Sequence, residues 1–167
     1  MGISAVRVGQ GFDIHRFSDD PSRALILGGV HFVGERGLEG HSDADVIAHA
    51  CADALLGAAG LGDIGQHFAD TDPAWKGVDS LIILDQVSVM VRAQGWLIGN
   101  IDCSVVCEQP KLAPRRDEMQ DKLSKTAGTT VSVKGRRAEG LGALGRQEGI
   151  ACWAVAVLFQ VDHRSKV

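Results

Sequence analysis

Ten residues near the end of the chain, Ile150-Ala151-Cys152-Trp153-Ala154-Val155-Ala156-Val157-Leu158-Phe159, are apolar without a break. They read as a strand, and successive strand side chains leave opposite faces. This strand therefore has no face to give to water. It must be covered twice, inside a sheet or by another subunit. Other segments supply partners for it. Val6 to His15 opens as a strand broken by Gly9 and Gly11, and Asn100 to Cys107 alternates, with Ile101, Cys103, Val105 and Cys107 on one face. Val131 to Lys134 is a short strand. Leu25-Ile26-Leu27 and Val30 to Val33 flank Gly28-Gly29 as a hairpin. His31 alternates with apolar neighbours there and reads as structural.

Helical spacing governs the intervening segments. A helix is expected over Ala50 to Leu61. A second runs from Asp79 to Gln94, with Leu81, Leu84, Ser88 and Val91 on one face and Gly95 as its stop. A third begins at Pro114 and runs to about Thr126, with Met119 and Leu123 inward. The 167 residues suit one domain, residues 1–160, followed by a polar tail over 161–167.

Composition excludes several function classes. A net charge of -4 argues against a general nucleic-acid binder. No apolar run approaches membrane-spanning length, and the first residues lack the pattern of a signal peptide, so a cytoplasmic protein is expected. Cys51, Cys103, Cys107 and Cys152 form no CxxC pair and sit in apolar stretches, which suits reduced core thiols.

Chemistry concentrates in two places. His41-Ser42-Asp43-Ala44-Asp45-Val46-Ile47-Ala48-His49 holds two histidines, two carboxylates and a hydroxyl in nine residues. Ser42 or Asp43 suits an N-cap, which leaves His41 in the loop before the helix. Asp45 and His49 are four apart and stack on one helical face, as a metal ligand and its orienting partner or as a plain capped helix. The second place is Asp13-x-His15, whose side chains leave the same face of a strand. Zinc accepts carboxylate and imidazole together, at about 2.0–2.2 Å. With His49 the count is three protein ligands and one open position for substrate.

Other motifs are weaker. Gly60-Leu61-Gly62-Asp63-Ile64-Gly65 and Gly140-Leu141-Gly142-Ala143-Leu144-Gly145 match G-x-G-x-x-G, but the first closes a helix and the second precedes a strand. A dinucleotide site needs strand, glycines and then helix, so both are rejected. Asp63, Asp70 and Asp72 crowd a loop ending at Pro73, where they bind an ion or sugar hydroxyls or cap their own turns. Arg136, Arg137 and Glu139 follow Lys134 and either cradle phosphate and a cation or form a solvated basic turn.

Taken together, the pieces resemble the 2-C-methyl-D-erythritol 2,4-cyclodiphosphate synthase family. The resemblance runs from Arg7-Val8-Gly9 to about Phe159. It rests on Gly11-Phe12-Asp13-Ile14-His15, His41-Ser42-Asp43-Ala44-Asp45, Leu61-Gly62-Asp63-Ile64-Gly65, Asp70-Thr71-Asp72-Pro73, Pro110-Lys111 and Gly145-Arg146-Gln147-Glu148-Gly149. It implies an α+β subunit, a mixed sheet with helices on one side, and a homotrimer around a central sheet-lined cavity that can hold an isoprenoid. It implies active sites between neighbouring subunits, zinc on Asp13, His15 and His49, and magnesium or manganese near Glu139. The reaction it implies is cyclisation of 4-diphosphocytidyl-2-C-methyl-D-erythritol 2-phosphate with release of CMP.

By the same resemblance His41 and Ser42 contact phosphate. Asp63, Ile64, Gly65, Phe68, Asp70 and Asp72 belong to the segments that hold the methylerythritol part. Cys107, Pro110, Lys111, Leu112 and Ala113 form the cytidine pocket, with Arg136, Ala138 and Arg146 as further substrate contacts. Catalysis is assigned to His41, Glu139 and Arg137. The last is a departure: where the family reads Ala-Thr-Thr-Thr/Ser-Glu, this chain reads Gly135-Arg136-Arg137-Ala138-Glu139, and Arg137 stands in place of a threonine. Ala143 likewise replaces a phenylalanine. The altered loop leaves two alternatives open, a hydrolytic diphosphatase and a non-catalytic trimer that binds zinc and nucleotide.

Overall fold

The structure, a computed structural model, describes residues 3–161. Of the tail expected over 161–167, Val161 ends a strand and residues 162–167 lie outside the described residues. The elements follow in order as β1 (Ile3–Arg16), β2 (Ile26–Leu27), β3 (Val30–His31), α1 (Val46–Ala59), α2 (Ile64–His67), α3 (Ser80–Ala93), β4 (Leu97–Val106), α4 (Arg116–Ala127), β5 (Thr130–Arg136), α5 (Gly142–Gly145) and β6 (Gly149–Val161). The main sheet has the order β1-β6-β4-β5. β6 is antiparallel to both β1 and β4, while β4 and β5 are parallel. The fold is α+β with a mixed sheet.

The unbroken apolar run becomes the inner strand β6. Cys152, Ala154, Ala156 and Leu158 point into the core beneath the helices. Trp153 and Val155 point the other way and stay partly exposed, together with Val6, Val8, Phe12 and Ile14 of β1. One face of the sheet is thus covered by helices, and the other presents apolar side chains that nothing among the described residues covers. Self-pairing strands alone do not explain such a face.

β1 is continuous despite its glycines, because those glycines are where α1 comes close. A Cβ at Gly11 would lie 2.0 Å from the Ala50 carbonyl oxygen, and one at Gly9 would lie 2.1 Å from that of Ala54. The helix answers with small residues, burying Ala48, Ala50, Ala52, Ala54 and Ala58. Backbone therefore packs on backbone, which fixes the height of α1 above the sheet.

Helix α1 starts earlier than its apolar run suggested, and its cap is neither Ser42 nor Asp43. Asp45 is the N-cap, accepting from the Ile47 and Ala48 amides at 3.0 and 3.2 Å. Its carboxylate also accepts from Gly28 and Gly29 at 2.9 and 2.6 Å, so it ties the β2–β3 turn to the helix. It is fully buried and does not face His49, which removes the orienting role expected of it. His31 is exposed rather than structural. Both G-x-G-x-x-G matches are helix ends or turns: Gly60 closes α1 in the left-handed conformation, and Gly142 to Gly145 is the short α5. All four cysteines are free and buried, as expected.

Gly11→Ala tests the packing of α1 on β1. Forcing a methyl into that contact is expected to destabilise the fold by about 3 kcal/mol, at the upper end of overpacking costs. Urea unfolding measures it, and an unchanged midpoint would contradict the close-approach reading.

Candidate functional site

Asp13 and His15 leave the helix-facing side of β1 near its C-terminal end, and His49 descends onto them from the first turn of α1. Asp13 Oδ2 lies 3.0 Å from His15 Nε2 and 3.0 Å from His49 Nδ1, and the two ring nitrogens are 3.4 Å apart. A tetrahedral ion bound at about 2.0–2.1 Å needs ligand atoms roughly 3.3 Å apart. The triangle therefore fits one divalent metal. Among the described residues it is the one group of three or more such donors close enough to share an ion.

The ring orientations are set from outside. His15 Nδ1–H donates to the Glu39 carbonyl at 2.7 Å, which leaves the Nε2 lone pair facing the triangle. His49 Nε2 lies 2.9 Å from Ser80 Oγ and 3.1 Å from Ser42 Oγ. The Ser80 hydroxyl donates to the Asp43 carboxylate, and Asp43 also accepts the Ser80 backbone N–H at 3.1 Å. With its proton committed to Asp43, Ser80 is an acceptor for His49 Nε2–H, and Nδ1 is left to bind metal. Asp43 and Ser80 thus do what sequence reasoning assigned to Asp45.

Electrostatics agree with this arrangement. Burial alone would raise the Asp13 carboxyl, but hydrogen bonds and charge from His15 and His49 outweigh it and hold the group well below the usual carboxylate range. Burial would lower His15, and the Asp13 hydrogen bond and charge reverse that, so its imidazole is raised.

A cavity of about 460 Å³ opens beside the triangle, lined by Asp13, His15, His49, His41, Ser42, Ile64, Gly65, Phe68 and Asp70, among others. Trp75 also lines it, stacked edge-on to Phe68 with centroids 5.0 Å apart, and the sequence had not singled it out. Asp63 and Asp72 do not line it. Asp63 caps α2 through the Gln66 amide at 3.0 Å, and Asp72 accepts from the Ala74 amide at 2.9 Å. Of the two readings of that acidic loop, turn capping describes Asp63 and Asp72. The Asp72 carbonyl lies 3.2 Å from His41 Nε2 and so holds that ring at the cavity's edge.

A second cavity, of about 310 Å³, shares no lining residue with the first. Its walls are Cys107 to Ala113, Arg116 and Gly135 to Arg137. Arg137 does not stand free there: its Nε and Nη2 donate to Glu108 Oε2 at 2.8 and 2.7 Å. That guanidinium, together with the Gly140 amide, holds the Glu108 carboxyl below its usual range. Ala138 and Glu139 lie just outside the walls, and Glu139 sits at a positive φ of 52°. Arg146 pairs with Glu148 at 2.6 Å and lines neither cavity.

Residues 6–159 match the model of the YgbB family. The chain belongs to that family. As a YgbB family member it is 52% identical over 164 residues to a 2-C-methyl-D-erythritol 2,4-cyclodiphosphate synthase of Nostoc sp., an alignment that covers 96% of this chain and 98% of the relative. It is 51% identical to the enzyme of the same name from Thermosynechococcus vestitus, covering 92% and 96%. Among solved structures it resembles the bifunctional IspDF of Campylobacter jejuni, with TM-score 0.90, 39% identity and coverage of 96% of this chain and 44% of that one. It also resembles the IspF of Plasmodium falciparum in its CDP complex, with TM-score 0.82 and 32% identity over 96% of this chain and 100% of that one.

Ser80→Ala is the direct test of the outer hydrogen bonds in this YgbB family chain. Loss of such a partner is expected to weaken divalent-metal affinity by about 10–100-fold, with the circular dichroism spectrum unchanged. Metal affinity equal to that of the parent chain would show that Ser80 does not orient His49.

Proposed function

We infer that the chain is a phosphorus–oxygen lyase of non-mevalonate isoprenoid biosynthesis. It converts 4-diphosphocytidyl-2-C-methyl-D-erythritol 2-phosphate to 2-C-methyl-D-erythritol 2,4-cyclodiphosphate and CMP. The observation that carries this reading is 51–52% identity, over nearly the full length, to synthases of that name, in a chain whose Asp13, His15 and His49 close on one point.

In this reaction a 2-phosphate oxygen attacks the β-phosphorus of the same molecule. The bond from that phosphorus to the bridging oxygen breaks, and CMP leaves with the electron pair. Nucleophile and electrophile are already joined, so the protein's task is to bring the ends together and balance charge. Asp13, His15 and His49 would hold zinc, which would supply a Lewis acid and template beside the cavity. Magnesium or manganese is the second cation assigned here; Glu139 would hold it, and it would offset phosphate charge.

His41 and Ser42 line the cavity beside the triangle and are assigned to the reacting phosphates, His41 nearest the developing charge. Ile64, Gly65, Phe68 and Asp70 enclose the methylerythritol carbons, while Asp63 and Asp72 shape that segment through their caps. Cys107, Pro110, Lys111, Leu112 and Ala113 receive cytidine in the second cavity. Arg136, Ala138 and Arg146 are further contacts, and Arg137, assigned the catalytic place of the family's threonine, has Nε and Nη2 on Glu108 and only Nη1 left to reach phosphate.

Two cavities with no shared lining suit a site assembled from two subunits, each giving one half. The apolar outer face of β1 and β6 supports a homotrimer closed around a sheet-lined cavity, where an isoprenoid is a fitting occupant. Among the described residues no helix is long and apolar enough to cross a membrane. A cytoplasmic enzyme is the matching setting.

Incubating the chain with the cytidylyl substrate and a divalent ion is expected to yield CMP and the cyclic diphosphate in equal amounts. CMP alone would indicate a hydrolase, and nucleotide binding without turnover would indicate a non-catalytic binder. His49→Ala is expected to lose bound zinc and cyclisation while keeping the fold. One zinc per chain in that variant, measured by plasma mass spectrometry, would contradict the ligand assignment.

A further inference from the structure

Three of the four free cysteines gather in the core, on three different elements. Cys51 comes from α1, Cys103 from β4 and Cys152 from β6, and all three are fully buried. Cys51 Sγ and Cys103 Sγ are 3.2 Å apart, although the two residues are 52 positions apart in the chain. Cys152 is level with Val105, so it stands diagonally from Cys103 on the neighbouring strand. Diagonal residues of an antiparallel pair lie about 7–8 Å apart, beyond the roughly 4.4–6.8 Å between the α-carbons of a disulfide. Cys107 turns elsewhere, with its Sγ 3.5 Å from the Pro110 carbonyl oxygen at the second cavity.

The Cys51 and Cys103 sulfurs do not frame a metal site. Two thiolates on one tetrahedral ion stand roughly 3.8 Å apart. Among the described residues, the one set of three donors within reach of a shared ion is Asp13, His15 and His49. What two sulfurs in contact do offer is a bond to each other, for which they must close by about 1.2 Å.

We propose that Cys51 and Cys103 are a peroxide-oxidisable pair whose disulfide staples α1 to β4. In the first step one sulfur attacks a hydroperoxide, the O–O bond breaks, and a sulfenic acid forms as water or an alcohol leaves. The second sulfur then attacks the first, the S–S bond forms, the S–O bond breaks and water departs. Each thiol proton ends on a departing oxygen, so two thiols and one hydrogen peroxide give one disulfide and two waters. The pairing matters because the surroundings are dry. A thiol oxidised alone there would advance to a sulfinate, an anion without a partner in an apolar core. A second thiol in contact ends the reaction at a neutral product. Burial makes the step slow, and hydrogen peroxide, little larger than water, reaches the pair through local openings of the helix layer. Cys51 follows His49 by two positions on α1, so the staple secures the helix that carries a candidate metal ligand.

Treating the metal-loaded chain with hydrogen peroxide, then alkylating it in denaturant, tests this by mass spectrometry of its peptides. The expected product has lost two hydrogens, carries one cross-link between Cys51 and Cys103, and returns to the starting mass with dithiothreitol. Its melting temperature is expected to rise by at least about 5 °C, because the bond closes a long loop in the unfolded chain. Cys51→Ala is expected to lose both the cross-link and that rise. It is also expected to collect sulfinate on Cys103 at a peroxide dose that leaves the parent chain free of it. The parent cross-link is read without any variant, so the test stands even if Cys51→Ala does not fold. Four free thiols in a parent chain still folded after treatment would overturn the proposal. So would a cross-link to Cys152, or sulfinate on the parent's Cys51 or Cys103. A cross-linked chain that melts below the reduced one would overturn the staple.

Discussion

The contact between α1 and β1 governs the rest of the molecule. At Gly9 and Gly11 the helix backbone meets the strand backbone with no side chain between them. That approach sets His49 within bonding reach of Asp13 and His15, which belong to the same strand two and four residues after Gly11. It also explains the alanines of α1, since larger side chains on that face would lift the helix off the sheet. Asp45 then fixes the helix along its axis by binding two of its free amides and two more from the β2–β3 turn. Metal geometry is thus a by-product of core packing.

The sheet brings the second cavity to the same end of the molecule. β1, β4 and β5 all run in one direction, so their C-terminal ends emerge side by side. Asp13 is level with Cys152, which is level with Val105, which is level with Gly135. Three steps of about 4.8 Å separate the ends of that row, roughly 14 Å in all. Donors for a metal gather at one end of it and arginines at the other. The division is electrostatic as well as spatial: a carboxylate and imidazoles on one side, the guanidinium groups of Arg136 and Arg137 on the other.

Much of this was legible in the residues. Asp13-x-His15 needed only strand periodicity, and His49 needed only a helix to carry it. The unbroken apolar run of β6 announced a strand covered twice, though the described residues cover just one of its faces. What failed did so for a physical reason. Asp45 and His49 are four apart, and stacking them assumes both lie inside the helix. Asp45 is instead the cap, with extended backbone at φ -69° and ψ 93°, and its side chain turns back to the amides. The group that does orient His49 is Ser80, separated by 31 residues, and no local pattern joins them. Arg137 is a parallel case, because its partner Glu108 is 29 residues away across the β4–β5 pair. Long-range pairing of this kind is a property of the fold and leaves no periodic trace.

The account stands on a single ion shared by residues from β1 and α1. X-ray diffraction from crystals of the chain grown with zinc, recorded on both sides of the zinc absorption edge, tests it most directly. One anomalous peak per chain is predicted, within about 2.2 Å of Asp13 Oδ2, His15 Nε2 and His49 Nδ1. A peak bound through His49 Nε2, or no peak between these three side chains, would contradict it.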